Sequence, residues 1–332
     1  MPEEVGGSVD GGEFARRTEP YRRELLAHCY RMLGSVDEAE DLVQETYLRA
    51  WRAYGDFEGR SSVRTWLYRI ATNACLTALE HQARRPLPSG LGAPSDDPDA
   101  PEVPAGPEVG LLQPVPDALV AGDSADPAAV VAGRESLRLA LIASLQHLSG
   151  RQRAVLILRE VLAFPAAEVA AMLDTSTAAV KSTLQRARAH LDRVAPALPE
   201  QAGEPADPAA RALLQEYIAG FQNADLAALE RALRADATLE MVGSRTWFAG
   251  KATCLRYLAR FLGTPGDWRM LPTRANGQPA AATYLRGDDG RHRAFGIAVL
   301  TVRGDGIAGI TVFGGADLVG RFGFPPEPDP PA

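Results

Sequence analysis

Lysine is nearly missing from this chain: of 35 basic side chains only Lys181 and Lys251 are lysine, and the rest are arginine. Cysteine is equally scarce. Cys29, Cys75 and Cys254 lie far apart, with no CxxC or Cys/His spacing, so a disulfide scaffold and a Cys-rich metal site are excluded and all three read as small buried hydrophobes. No run approaches the roughly 18 to 20 apolar residues that a membrane span requires. The opening MPEEVGGSVDGGEF carries no basic stretch leading into an apolar one, so the expected location is cytoplasmic. What is present is ordinary globular composition, 332 residues with 46% hydrophobic and 23% charged, enough for two or three domains.

The net charge of −7 argues against a nucleic-acid partner only if charge is evenly spread. It is not. Residues 13–85 carry 12 basic and 11 acidic side chains, residues 86–130 carry no basic and 8 acidic ones, and residues 131–195 carry 9 basic and 5 acidic ones. A segment of net +4 therefore sits inside an acidic protein. Residues 86–130 are crowded with Pro, Gly, Ala and Asp, lack a sustained period and read as a linker. A second Pro-rich stretch covers Pro196 to Pro208. Three folded blocks are expected, at 15–85, 131–195 and 209–325.

In the first block, Gly34 closes a helix and Ser35 with Glu38 fits a capping box opening DEAEDLVQETYLRAWRAY. Ala39, Leu42, Val43, Thr46 and Ala50 fall at helical spacing, with Asp37, Glu38, Asp41 and Glu45 on other faces. The next helix combines Trp66, Leu67, Ile70, Ala71 and Leu79 with Arg64, Tyr68, Arg69, Arg84 and Arg85. Aromatics interleaved with arginine suit unpaired bases, which offer faces for stacking and phosphates for neutralisation, although one aromatic at helical spacing is more often core.

In the second block, Ser149 with Gln152 fits another capping box, and Pro165 suits the first turn of PAAEVAAMLD. Asp174 to Ser176 make a short break before TAAVKSTLQRARAHL. Two short helices joined this tightly, the second bearing Lys181, Ser182, Gln185, Arg186 and Arg188, match a helix-turn-helix; Val169, Ala170, Leu173, Val180 and Leu184 hold the pair together, with small Ala171 near the turn.

DLVQETYLRAW and TWLYRIATN, the Arg-Arg-Pro that ends the first block, and AAVKSTLQRAR resemble regions 2 and 4 of the extracytoplasmic-function (group IV) sigma-70 factors. The resemblance implies two all-α domains, a region 2 helical bundle and a region 4 helix-turn-helix. It implies docking on core RNA polymerase, on its largest subunit through Asp41, Leu42, Gln44, Glu45 and Leu48 and on its flap region. Phe57, Arg64, Trp66, Arg69 and Asn73 would serve the minus-10 element, with Phe57, Trp66 and Asn73 lining a pocket for a flipped base. Lys181, Ser182, Gln185 and Arg186 would face the minus-35 element, and Arg188 a phosphate. Lys stands where Arg is frequent and Gln where an aromatic is frequent, so promoter sequence does not transfer from relatives. The acidic linker would either imitate RNA in a channel of the polymerase or serve as a solvated tether.

The C-terminal third reads as helix, a break at Asn223 to Asp225, helix, the strand-like ATLEMVG and SRTWFAG, the helix KATCLRYLARFL and then strands near 268–274, 280–286, 293–302 and 307–313. Helices followed by an antiparallel sheet point to an α+β layer with the sheet curled on the helices. This order, with the segments Ala237 to Met241 and Trp247 to Gly250, resembles the SnoaL-like branch of the nuclear-transport-factor-2-like fold, which implies a cone with an internal pocket. Such cones host enzymes too. Glu240, Asp236 and His292 are the candidate acid or base groups, with Tyr217 and Trp247 as walls, but they form no acid–base pair. A non-enzymatic docking or regulatory module, without metal or cofactor, packing on region 2 or region 4, is therefore expected. A helix-turn-helix regulator with a ligand-binding domain and a SnoaL-like isomerase or cyclase with an accessory helical part stay open as alternatives.

Overall fold

The computed structural model describes residues 11–80, 84–120, 133–194 and 207–328. Contacts divide the chain into two compact units whose membership is not sequential: Met1–Ala83 with Ala118–Pro196, and Arg84–Asp117 with Ala197–Ala332.

The first unit begins with α1 (Gly11–Thr18), α2 (Arg22–Leu33), α3 (Val36–Ala53) and α4 (Val63–Leu79). Gly34 ends α2 in the left-handed region at φ +72°, its N–H donating to Tyr30 O, and the Ser35 hydroxyl then accepts from Glu38 N–H to start α3. The buried stripe of α3 is Val36, Ala39, Val43, Thr46 and Ala50, while Leu42 is only half-buried. Ser62 caps α4 through Thr65 N–H, and Leu67, Tyr68, Ala71 and Cys75 turn inward. Cys29 and Cys75 are buried together, and their hydrogen bond and burial push the Cys75 thiol well up.

A short turn of helix, α5 (Asp117–Val120), leads on, and beyond it come α6 (Leu139–Leu145), α7 (Gly150–Leu156) running into a π-helical turn at Ile157–Val161, α8 (Ala166–Met172) and α9 (Thr177–Val194). Ser149 and Gln152 form the full reciprocal capping box. Asp174 adopts φ +48° in the expected break, and Ser176 Oγ accepts from Ala179 N–H to open α9.

The two helical blocks read as separate in the sequence pack as one unit. Arg31 is buried and donates to the Ser136 carbonyl at 3.2 Å and to its hydroxyl at 2.7 Å, Arg153 donates to Met32 O, and Tyr68 meets Phe164 edge to face at 5.1 Å. Burial brings the Arg31 pKa down to about 10.

The second unit contains α10 (Asp207–Gln222), α11 (Leu226–Ala232), β1 (Leu233–Val242), β2 (Trp247–Ala249), α12 (Lys251–Phe261), β3 (Trp268–Ala275), β4 (Gln278–Arg286), β5 (His292–Arg303), β6 (Gly306–Gly314) and α13 (Ala316–Arg321). The strands form one sheet in the order β2-β1-β6-β5-β4-β3. The expected antiparallel sheet is corrected to a mixed one, because β1 runs parallel to β6 and every other pair is antiparallel. One helix, α12, separates β1 and β2 from the hairpin run β3 to β6, which lets the last strand close back beside the first in the same direction. At Gly296, where the ladder to β4 shifts register, a Cβ would stand 2.1 Å from Phe313 O, so only glycine fits. The core joins Tyr217, Phe221, Leu239, Trp268, Leu300 and Ile310 between α10, α12 and the sheet.

Residues 84–117 form a strap within this second unit, although 86–117 read from sequence as linker and Arg84 and Arg85 as the end of the first block. Its prolines supply much of the anchorage: Pro86, Pro88, Pro98, Pro114 and Pro116 are buried. Proline brings apolar area with no N–H to leave unpaired and with little chain freedom to lose. Backbone pairing adds to this, through Ala105 N–H to Gly243 O at 2.9 Å and bridges Pro104–Ser244 and Pro116–Ala275. The strap's carboxylates meet cations of the same unit: Asp99 pairs with Arg256 at 2.6 Å, Glu108 with Arg245 at 3.6 Å and Asp117 with Arg274 at 3.1 Å. Residues 121–130 of the predicted linker lie outside the described residues.

Candidate nucleic-acid interface

On α3 the buried stripe fixes the opposite face. Asp41, Gln44 and Leu48 are exposed there, Glu45 is half-buried and ion-paired with Arg49 at 2.7 Å, and Leu42 lies toward the side. Leu48 is 51% exposed and Trp51, one turn further on, 39%. Leu48 thus stands in solvent beside carboxylates, and Trp51, whose ring meets Phe14 at 5.2 Å, is partly exposed next to it. Trp51 was not among the sequence candidates; its spacing of three residues from Leu48 carries the signal. Beside this face, Ala118 and Leu119 of α5 line a groove with Arg22, Arg23, Glu40 and Gln44.

Trp66, Arg69 and Asn73 share one face of α4, at i, i+3 and i+7, with Arg69 and Asn73 exposed and Trp66 half-buried. The loop after α3 brings Phe57 to them, its ring 4.7 Å from that of Trp66, and the Arg17 guanidinium lies 5.9 Å from the Phe57 ring centre. Phe57, Trp66 and Arg69 line a recess of about 440 Å³ with Asp56, Glu58, Arg60 and Thr65 on one side and Glu168, Ala171 and Met172 of α8 on the other; Asn73, expected in its wall, lies further along the same helix face and does not line it. Two rings tilted by 34° and guanidinium groups, with an amide further along the helix face, offer stacking surface and positive charge of the kind that holds an unstacked base and its phosphate.

Arg64 does not belong to this group. It precedes Trp66 by two residues, which turns it to the opposite side of the helix, where it forks onto Glu24 at 3.0 and 3.1 Å and lies over Tyr68 and Phe164. Its role is to hold α4 to α2 and to the second helical block. Thr65 Oγ1 completes that junction by donating to Glu168 Oε2 at 2.9 Å.

In the helix-turn-helix, Lys181, Ser182, Gln185 and Arg186 are all exposed on α9, while Val180 and Ala187 are buried. A single helix face thus presents a cation, a hydroxyl, an amide and a guanidinium, the set that reads base edges in a major groove. Arg188, expected at a phosphate, instead pairs with Glu160 of the π turn.

In the second unit, the candidate acid and base groups are scattered. Asp236 is exposed and paired with Arg234 at 2.9 Å, and His292 is bonded at 2.9 Å to Gly266 O. Glu240 is buried under the strap, where its Oε2 accepts from Ser89 N–H at 2.9 Å; burial raises its pKa. Of the two proposed walls, Tyr217 lines an apolar cavity and Trp247 does not, since its indole N–H holds the strap at Gly92 O.

Residues 18–85 match Sigma-70 region 2, residues 138–191 match Sigma-70 region 4, and residues 214–310 match the SnoaL-like domain. The chain is 50% identical over 316 residues to the ECF RNA polymerase sigma factor SigG of Mycobacterium tuberculosis, covering 95% of this chain and 84% of the relative. It is 32% identical over 174 residues to the ECF RNA polymerase sigma-E factor of Escherichia coli, covering 52% of this chain and 81% of the other. The crystal structure of the M. tuberculosis extracytoplasmic function sigma factor SigJ shares the fold, with a TM-score of 0.60 at 24% identity over 91% of this chain and 97% of that one.

Proposed function

The chain belongs to the extracytoplasmic-function RNA polymerase sigma factors, and from that premise we propose how its residues divide the work of starting transcription. A sigma factor binds core polymerase and promoter DNA and directs initiation; it is not itself an enzyme. The face of α3 with Asp41, Gln44, Glu45 and Leu48 docks on the polymerase, Leu42 flanks it, and Trp51 extends it. Phe57, Trp66, Arg69 and Asn73 capture a base expelled from the minus-10 element. Lys181, Ser182, Gln185 and Arg186 read the minus-35 element. The site of action is the cytoplasm, where the polymerase is; among the described residues no helix is long and apolar enough to cross a membrane.

The observation that carries this reading is the shared face of Trp66, Arg69 and Asn73 beside Phe57. Opening DNA without a nucleotide fuel requires capture of unstacked bases, each stacking contact contributing about 1–3 kcal/mol. The same recess explains regulation. Glu168 of region 4 stands at its edge, so the described arrangement is a closed form in which region 4 shields the minus-10 pocket, and engagement of a promoter separates α8 from α4. The C-terminal unit adds control by holding the strap that connects the two promoter-reading regions.

Run-off transcription with core polymerase tests the assignment. Phe57→Ala and Asn73→Ala should lose open-complex formation while binding core normally. Normal promoter opening by both variants would remove the pocket from the mechanism.

A further inference from the structure

Beside the strap, the C-terminal unit holds an apolar cavity of about 260 Å³ that lies outside the residues assigned above to polymerase and promoter. That is room for about nine water volumes, just below the range of clefts that take drug-sized ligands. Phe221, Tyr257, Phe261, Trp268 and Phe295 surround it with ring faces and edges, and Met241 and Met270 fill in between. Such a wall favours a flat ring system. Phe261 is 44% and Leu285 39% exposed, and both line the cavity, so it has an open rim.

The charged side chain at that rim does not come from the sheet or its helices. It is Glu102 of the strap, which lines the cavity and accepts a hydrogen bond from the Tyr257 hydroxyl. Tyr257 therefore faces two ways: its ring is part of the cavity wall, stacked at 4.5 Å on Phe248 and 4.9 Å on Phe261, and its hydroxyl holds the strap. Neighbouring α12 residues grip the same stretch, Arg256 on Asp99 at 2.6 Å and Arg260 on Pro98 O. A carboxylate has more acceptor positions than one tyrosine fills. The free positions at the mouth of an aromatic cavity suit a hydrogen-bond donor carried on a ring.

We propose that this cavity is a receptor site for a flat, largely apolar molecule bearing one donor group, an arylmethyl ammonium or a phenol, and that Glu102 reads that group. A molecule touching both cavity wall and strap binds the docked strap more tightly than the released one, so occupancy holds residues 84–117 on the C-terminal unit by linkage. The connection between regions 2 and 4 is then shortened. Ligand control of a sigma factor would in this way act on the link between its two DNA-reading parts.

The experiment uses the full chain and three probes of one ring body: 2-naphthylmethylamine, 2-naphthol and 2-naphthoate. The amine and the naphthol are expected to bind at least tenfold more tightly than the carboxylate by calorimetry, and Glu102→Gln should narrow that gap to within threefold. Binding of either donor should slow amide exchange at Val103 and Ala105, whose N–H groups hold the strap to Thr246 Oγ1 and Gly243 O. Met241→Trp, filling the cavity from a half-buried position, should abolish binding and leave the melting curve of the chain in place. Equal or tighter binding of naphthoate, a preference that survives Glu102→Gln, binding that survives Met241→Trp, unchanged exchange at the strap, or no probe binding below millimolar concentration would each overturn the proposal. Neither readout involves polymerase, so failure here leaves the promoter reading untouched, and failure in transcription leaves this site untouched.

Discussion

Along α3, α4 and the loop between them, Trp51, Phe57 and Trp66 stay partly in solvent beside arginine, whereas in the C-terminal unit Phe221, Tyr257 and Trp268 turn inward around a cavity. The residue types are the same; the companions differ. On α3 and α4 most core positions go to small and aliphatic side chains, Ala39, Val43, Ala50, Leu67 and Ala71, with Tyr68 the one ring turned fully inward, which leaves Trp51 and Trp66 to the outer faces. In the sheet, the cavity floor is set by the small side chains Thr283 of β4 and Ala298 of β5, and the volume above them is enclosed by rings from α10, α12, β3 and β5. Small residues under a surface free the aromatics for a partner, while small residues inside a curved sheet make space for a guest.

The largest test of that contrast is Trp268→Ala, which removes a ring in contact with Phe221 and Phe295 and should cost the C-terminal unit about 3–5 kcal/mol in denaturant unfolding, with core-polymerase affinity unchanged. An equal loss of polymerase affinity would show that the two units are not energetically separable.

Next comes pH. His28 is fully buried against Thr72 and Tyr68, and burial, then Arg31 and Arg64, bring its pKa down from 6.5 to about 3. The folded histidine stays neutral while the unfolded one takes up a proton below 6.5, so stability present above 6.5 is lost as pH falls toward about 3. The slope is up to about 1.4 kcal/mol per pH unit. Denaturant midpoints between pH 7.5 and 4.5 should show this fall in the helical unit and a flatter profile in His28→Phe.

For the outward rings, Trp66→Ala should lower open-complex formation roughly 10- to 100-fold, one stacking contact's worth, with promoter recruitment through region 4 retained. Smallest is Lys181→Ala. A lone ammonium on the outer face of α9 contributes about 1 kcal/mol to minus-35 duplex binding, and its removal should lower the salt slope by about one. A reduced slope without change in polymerase binding is the expected signature.

Much of this was legible in the chain itself. The stripe of α3, the cap at Ser149 and the break at Asp174 are local, set by residues within four positions of one another, and the structure keeps them. The same arithmetic already turns Arg64 away from Trp66, although the family resemblance groups the two at the minus-10 element. The Asn276-Gly277 pair, both at positive φ, is a hairpin turn that short-range pattern supports and that joins β3 to β4. The parallel placement of β1 beside β6 and the closure of region 4 over α4 depend on partners more than seventy residues away. The strap is the extreme case. Its composition says linker because it lacks a period, and its order comes from a surface that local pattern does not contain.

That surface also sets a clock. Asp117 meets Arg274 across 157 positions of sequence, and Ser89 meets Glu240 across 151. At roughly 5–20 residues per second, a ribosome takes about 8 to 30 seconds to make the platform after the strap has been synthesised. During that interval the two promoter-reading regions emerge joined by a long, unrestrained connection, and only a finished chain can draw it in. A truncation placed after region 4 would therefore preserve the newborn state, so its behaviour with polymerase reports both the loss of the C-terminal unit and the release of the segment between the DNA-reading regions.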